Sequence, residues 1–307
     1  MPQSSIRSGK RGKGTTMGIP LQHQFVLSDE GKQALGQIVR VQGKPPTDAD
    51  LDRMARDWDF LNDLSDSIIE DDSAGADPRR AFVVSFLTDT YRFFGVSDAQ
   101  RAGGAACQLG ALHYVGALNE ERTPEYDQAF KWYEKGADLG NVQALINLGY
   151  CYQYGRSVEK DMQKAYDCFH RAALVSTSPE AYYKLGDMYR WGDGVKQDKG
   201  LAMALYEKAL AAMRSQDEDC DTSMPEVAGS VYHRIADMRM DRLNPPELDG
   251  DADAKEGLTE RLNILGLYQE AERCYRRAIF NGYAYYEKNL DDVVAKQDEM
   301  REILKDW

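Results

Sequence analysis

The sequence predicts an all-α protein, an α-solenoid of stacked antiparallel helix pairs with helical caps at both ends. Three observations predict it. A Leu–Gly pair recurs at Leu109–Gly110, Leu148–Gly149 and Leu185–Gly186. A second glycine follows seven residues after each Leu, at Gly116, Gly155 and Gly192. A third register runs Ala129-x-x-Trp132–Tyr133, Ala165-x-x-Cys168–Phe169 and Ala202-x-x-Leu205–Tyr206. Several registers recurring together at one period mark a repeat architecture.

Each half of the period is helical. Apolar side chains fall at Ala144, Leu148, Cys151 and Tyr152, and again at Ala181, Leu185, Met188 and Tyr189. Those offsets draw one stripe down a helix. Glycine beside the stripe Leu lets a neighbouring helix approach closely, at a cost of roughly 1 kcal/mol in helix propensity. The glycine seven residues on ends the first helix as a C-cap, and Asp161 and Asp198 stand where they would N-cap the second. The unit is therefore helix, tight glycine loop, helix.

The run Ala181–Tyr182–Tyr183–Lys184–Leu185–Gly186–Asp187–Met188–Tyr189, then Gly192–Asp193–Gly194–Val195, Asp198 and Leu201–Ala202-x-x-Leu205–Tyr206–Glu207–Lys208–Ala209, resembles the Sel1-like repeat, a relative of the tetratricopeptide repeat. Gly155…Val158…Asp161 and Phe130–Lys131–Trp132–Tyr133–Glu134–Lys135–Gly136–Ala137…Gly140 carry the same pattern, and the resemblance covers roughly residues 102–282. It implies stacked hairpins in a curved solenoid whose concave face binds other proteins. Departures are visible. His113 stands where Tyr152 and Tyr189 follow, and the first loop is longer. The fourth unit, around Ile235–Ala236–Asp237–Met238 and Ala271-x-x-Cys274–Tyr275-x-x-Ala278, lacks both marker glycines and carries a long insertion beginning at Asn244–Pro245–Pro246. A second insertion lies near Gln216–Asp221. Some secreted relatives have a regularly spaced disulfide in each repeat, a pattern that Cys151 and Cys168 do not repeat.

The chain divides into a disordered basic tail (1–21), an N-terminal helical capping region (22–100), about four repeats (101–282) and a C-terminal capping helix (283–307). Residues 47–70 read as one amphipathic helix with Leu51, Met54, Trp58, Leu61, Leu64 and Ile68 on its stripe, and 78–94 as another, started by Asp77–Pro78. Solenoids need their ends closed to solvent.

Net charge is −13 at pH 7 and the pI about 4.9. The basic side chains Arg7, Lys10, Arg11 and Lys13 precede the first acidic one, so the rest is more acidic still. Such a body repels phosphate backbones and anionic lipids, which argues against nucleic acid and membranes as partners. No apolar run approaches a membrane span, and the basic N-terminus lacks the apolar core of a secretory signal. Five cysteines without a Cys-x-x-Cys pair point to a reduced, cytoplasmic protein.

The chemistry-bearing residues read as structural. His23, His113, His170 and His233 have no ligand spacing, and Cys151, Cys168 and Cys274 fall in packing slots of the repeat. Cys220 lies in acidic surroundings that disfavour a thiolate. Asp249-x-Asp251-x-Asp253 with Glu260 has the oxygen spacing of a calcium loop, but Ala254 replaces the turn glycine and Glu256 the apolar anchor, so 249–260 reads as a solvated charged loop. No phosphate loop, Ser/His/Asp set or Gly-x-Ser-x-Gly is present. The sequence predicts no catalytic residue, cofactor or metal.

The predicted function is binding. On each first helix the side opposite the Leu stripe carries Asn147, Tyr150, Gln153 and Tyr154 in the second repeat, Lys184, Asp187, Arg190 and Trp191 in the third, and Arg234 and Asp237 in the fourth. Aromatics and arginine on a face without core duty suit an interaction groove, and the acidic body favours a peptide or protein partner carrying basic residues. Tyr154 and Trp191 could alternatively pack against the next repeat. The rival classes are a self-associating structural protein and an enzyme with its site between the insertions.

Overall fold

The computed structural model describes residues 21–70, 78–119, 121–216, 224–243 and 251–305. The basic tail, Asp77, Cys220, Asn244–Pro246 and most of the second insertion lie outside the described residues. What is described is all-helical apart from turns and one isolated bridge between Val41 and Lys44. The described residues form two compact bodies, the first ending at Cys168 and the second beginning at Phe169.

The first body opens with α1 (Asp29–Ile38), α2 (Asp48–Met54), α3 (Trp58–Glu70) and α4 (Pro78–Phe94). The single helix expected over 47–70 is two. Ala55 is fully buried and its carbonyl accepts from Leu27 N at 2.9 Å. Asp57 then caps α3, accepting from Phe60 N at 3.1 Å. A cap inside the run restarts the helix although the apolar spacing continues. Phe25, Leu35, Leu61, Phe82, Phe86 and Phe94 make the core here, which reaches Ala102, Ala105 and Leu109 of α5 (Ala99–Tyr114).

α5 pairs with α6 (Tyr126–Asp138), and α6 packs on α7 (Val142–Tyr154). α8 (Met162–Val175) spans the division between the bodies. The second body continues with α9 (Pro179–Trp191), α10 (Lys199–Gln216), α11 (Pro225–Leu243), α12 (Asp251–Phe280) and α13 (Glu287–Lys305). Here α9 pairs with α10, α11 with α12, and α12 with α13. The charged loop expected over 249–260 is corrected from Asp251 onward, where the backbone is already helical in the 30-residue α12.

The repeat marks act as the spacing implies. Asp161 Oδ1 accepts from Lys164 N and Asp198 Oδ1 from Leu201 N, both at 2.9 Å. Gly155 (φ 66°) and Gly192 (φ 77°) close α7 and α9 in the left-handed region, where a side chain would be strained. The hairpin is latched when Asp161 N donates to Tyr152 O (3.0 Å) and Asp198 N to Tyr189 O (2.9 Å). The first repeat keeps the latch with other residues: Glu125 N donates to His113 O, and the Glu125 carboxylate meets His113 Nδ1, both at 2.9 Å.

In the first and third repeats the glycine after the Leu is a seat for a ring. A Cβ on Gly110 would lie 2.5 Å from the Tyr133 ring, and one on Gly186 2.6 Å from that of Tyr206. Both tyrosines are fully buried and cannot swing aside. Gly186→Ala is therefore expected to destabilise the second body by about 1–2 kcal/mol, overpacking exceeding the gain in helix propensity. A fall of several degrees in Tm checks it; a rise would mean that α9 and α10 can part.

Candidate partner-binding faces of the repeats

In the first body the α7 face divides by burial. Asn147 is 6% exposed, accepts from Gln143 Nε2 at 3.3 Å and points its amide at Cys107 Sγ of α5 at 3.9 Å. It is an internal residue, which corrects its expected place on an open face. The Cys107 thiol is itself pushed up to about 12 by burial. Gln153 and Tyr150 are half-buried, whereas Tyr154 is 56% exposed and stacks on Tyr150, with ring centroids 6.0 Å apart and planes within 9°.

In the second body the charged residues of the expected face hold one another. Asp187 Oδ1 accepts from Tyr206 Oη at 2.7 Å and from Arg234 Nε at 3.1 Å. Burial opposes the Arg234 charge, but Asp187 together with Tyr183 and Tyr206 offsets it and raises the guanidinium above its ordinary pKa. Asp237 repeats the arrangement one hairpin on. It accepts from Lys296 Nζ at 2.8 Å, from Tyr268 Oη at 3.1 Å and from Arg190 Nη2 at 3.5 Å. Burial works to raise this carboxyl, yet the Lys296 hydrogen bond and the surrounding cations hold it below its usual range. Arg190, only 6% exposed, is thus a strut rather than a free anchor, and its guanidinium also covers Trp191 at 4.7 Å. Trp191 itself is 57% exposed. Lys184 is half-buried, with its ammonium 4.6 Å from the Tyr183 ring.

The fourth repeat, degenerate in sequence, keeps both tyrosine jobs by dividing them. Tyr206 rests its ring on Gly186 and gives its hydroxyl to Asp187. In α12 the ring duty falls to Tyr275, 2.9 Å from a Cβ built on Gly229, and the hydroxyl duty to Tyr268, two turns earlier. Gly229 thus supplies a ring seat that the sequence reading denied this repeat. The first repeat has Ala111 where Asp187 stands in the third, and the buried Tyr133 hydroxyl has no hydrogen-bond partner among the described residues.

α13 completes the fourth hairpin. Besides Asp237, Lys296 Nζ lies 3.1 Å from His233 Nε2 and 3.1 Å from Asp292. Asp292 Oδ2 stands 3.1 Å from the same Nε2, and Nδ1 faces Tyr275 Oη at 3.4 Å. His233 is 3% exposed, and burial pushes its pKa down to about 4. Sequence spacing missed Tyr206, Tyr268 and Lys296 because their partners are distant along the chain. It also missed the ring cluster of Tyr114 and Tyr126 around Arg156, although Arg156 directly follows the loop glycine.

Among the described residues no group of three or more His, Cys, Asp or Glu is placed to hold a metal ion, and no helix is long and apolar enough to cross a membrane. Helical hairpins closed by glycine, with aromatic rings seated on Gly110, Gly186 and Gly229, define a helical repeat protein of the α-solenoid class. Residues 104–141, 142–174 and 179–212 match the Sel1 repeat model, so the chain carries three Sel1 repeats.

Similar proteins include the ERAD-associated E3 ubiquitin-protein ligase component HRD3B of Arabidopsis thaliana, 32% identical over 28% of this chain and 14% of that protein. Protein sel-1 homolog 2 of Rattus norvegicus is 34% identical over 30% of this chain and 13% of the relative. Chitin synthase regulatory factor 2 of Schizosaccharomyces pombe is 29% identical over 45% of this chain and 25% of the relative. The chain therefore spans a quarter or less of the length of these relatives. Among solved structures, a Sel1 repeat protein from Oxalobacter formigenes is 31% identical, with 44% of this chain and 90% of that one covered and a TM-score of 0.35.

Proposed function

We propose that this chain is a non-enzymatic scaffold that binds a protein or peptide carrying basic residues on the first-helix faces of its repeats, the concave side of a solenoid. One observation carries the reading. Tyr154 and Trp191 occupy equivalent positions at the ends of α7 and α9, and both keep more than half of their surface exposed. Tyr154 stacks on Tyr150, and the guanidinium of the buried Arg190 covers Trp191, so each ring has a backing. Large aromatics presented in this way are typical binding anchors. The net charge of −13 steers basic partners toward the chain. Similar proteins named as a ligase component and as a synthase regulatory factor support the same class of function, and a cytoplasmic location belongs to the same proposal.

Quantitative affinity capture with the full chain tests it. Trp191→Ala with Tyr154→Ala is expected to lose at least tenfold of the specifically captured protein, with the melting temperature little changed because both side chains are largely solvated. Undiminished capture by the double variant would remove the proposed face.

A further inference from the structure

Arg156 leaves the end of α7 just after Gly155, and three tyrosines of the first body surround it. Its guanidinium carbon lies 4.8 Å from the ring centre of Tyr114, 5.3 Å from Tyr154 and 5.5 Å from Tyr126. The rings come from the end of α5, the end of α7 and the start of α6. Tyr114 and Tyr126 meet edge to face at 5.1 Å, and Tyr150 backs Tyr154. The loop is pinned as well. Arg156 N donates to Cys151 O at 2.9 Å, and Ser157, in the left-handed region at φ 66°, bonds Asp127 through its hydroxyl.

This arrangement has no counter-ion among the described residues. Among the described residues no carboxylate pairs with the Arg156 guanidinium and no acceptor takes its side-chain N–H groups. Burial alone acts on it, lowering its pKa. The chain has 51 acidic residues against 38 basic ones, and the inward guanidiniums of Arg190 and Arg234 both have carboxylates. Stacking on rings engages the face of a guanidinium and fixes its plane, while its N–H fork remains suited to a carboxylate. Holding the fork in place beforehand removes part of the entropy cost of binding.

We propose that Arg156, with Tyr114, Tyr126 and Tyr154, is an anchor for a single carboxylate side chain of a bound protein segment, an adjacent aromatic or apolar side chain lying on Tyr154 and Tyr150. The inference rests on the scaffold reading and adds a local acidic contact to a partner that the net charge favours as basic. A phosphate polymer or anionic lipid surface would face the repulsion of the whole chain, whereas one carboxylate in an otherwise neutral or basic segment would not.

An array of dodecapeptides tests the anchor. Each carries one glutamate beside Phe, Tyr, Trp or Leu in a neutral or lysine-flanked frame, and each has a twin with glutamine in place of the glutamate. The full chain is expected to retain the glutamate peptides roughly tenfold better than their twins, as a charge-assisted fork contact would. R156Q should erase the difference. R156K, which keeps the charge but not the fork, should keep only a fraction of it, and the melting temperatures of both variants show that they fold. Equal retention of the twins by the unaltered chain, including no retention of either, overturns the anchor, as does a preference that survives in R156Q. Lysine-flanked peptides held equally with glutamate or glutamine would overturn the anchor while leaving the scaffold reading intact.

Discussion

Asp237→Ala is expected to lower the stability of the second body by about 3–5 kcal/mol, the usual cost of removing one partner from a buried ion pair. The substitution strips Lys296, Arg190 and the Tyr268 hydroxyl of their common acceptor at one stroke. The Arg190 side chain is 7% exposed and Asp237 16%, so water can replace little of what is lost. Asp237→Asn, which keeps an acceptor but not the charge, should cost less. Combining Asp237→Ala with Lys296→Met should cost less than the sum of the single variants, because each removes the same contact. Urea unfolding followed by far-ultraviolet circular dichroism measures all four. If Asp237→Ala unfolds within about 1 kcal/mol of the parent, the rungs between α9, α11 and α13 do not hold the second body together.

The second large effect is acid sensitivity centred on His233. Burial pushes its folded pKa down to about 4 from the ordinary 6.5. A depressed pKa means that the unfolded chain binds the proton first. The full contribution of neutral His233 is present above pH 6.5 and declines as pH falls toward 4. The total loss is up to about 3 kcal/mol at one decade per 1.36 kcal/mol. The groups facing the imidazole are Arg234 and Asp237 on α11, Tyr268 and Tyr275 on α12, and Asp292 and Lys296 on α13. Burial contributes most to the shift, and Lys296 and Arg234 add to it. Asp237, held below 3.8, loses its contribution at lower pH, outside this window. Glu226 acts in the opposite sense: burial raises its pKa, so acid favours its folded form. His233→Gln should therefore flatten the stability curve between pH 6.5 and 4 without altering the steeper loss below it. An unchanged slope in the variant would show that His233 titrates as it does in water.

Much of the fold was legible because its signals are local. Asp161 and Asp198 cap helices three residues away, Gly155 and Gly192 close the helix just before them, and a Leu–Gly pair announces a ring seat without naming the ring. Where a local signal was overridden, the reading failed. The apolar stripe from Leu51 to Ile68 continues straight through Ala55–Asp57, but Leu27 captures the Ala55 carbonyl and Asp57 starts a new helix. α1 went unread although Ser28, Asp29 and Glu30 are a capped, acidic helix start. The acidic spacing that suggested a loop over 249–260 is equally compatible with the first turns of α12, and helix is what forms.

The candidate face was half legible. Helical geometry placed Asp187, Arg190, Arg234 and Asp237 on matching sides of successive first helices. It could not show that they bond one another, because Arg190–Asp237 and Asp187–Arg234 each bridge 47 positions and Lys296–Asp237 bridges 59. Only stacking brings them together. What remains open after those pairings is aromatic, at Tyr154 and Trp191, together with the Arg156 guanidinium, which meets no carboxylate among the described residues.

Site-specific photocrosslinking discriminates most directly between a recognition wall and a wall that serves packing alone. A photoreactive phenylalanine replaces Trp191 or Tyr154 in the full chain, and in a control Glu207, which is exposed on α10. In extracts of the native host, discrete protein adducts are expected from positions 191 and 154, with none of the same species from 207. Adducts from 207 alone, or identical adducts from all three positions, would mean that the first-helix faces are not where this protein meets its partners.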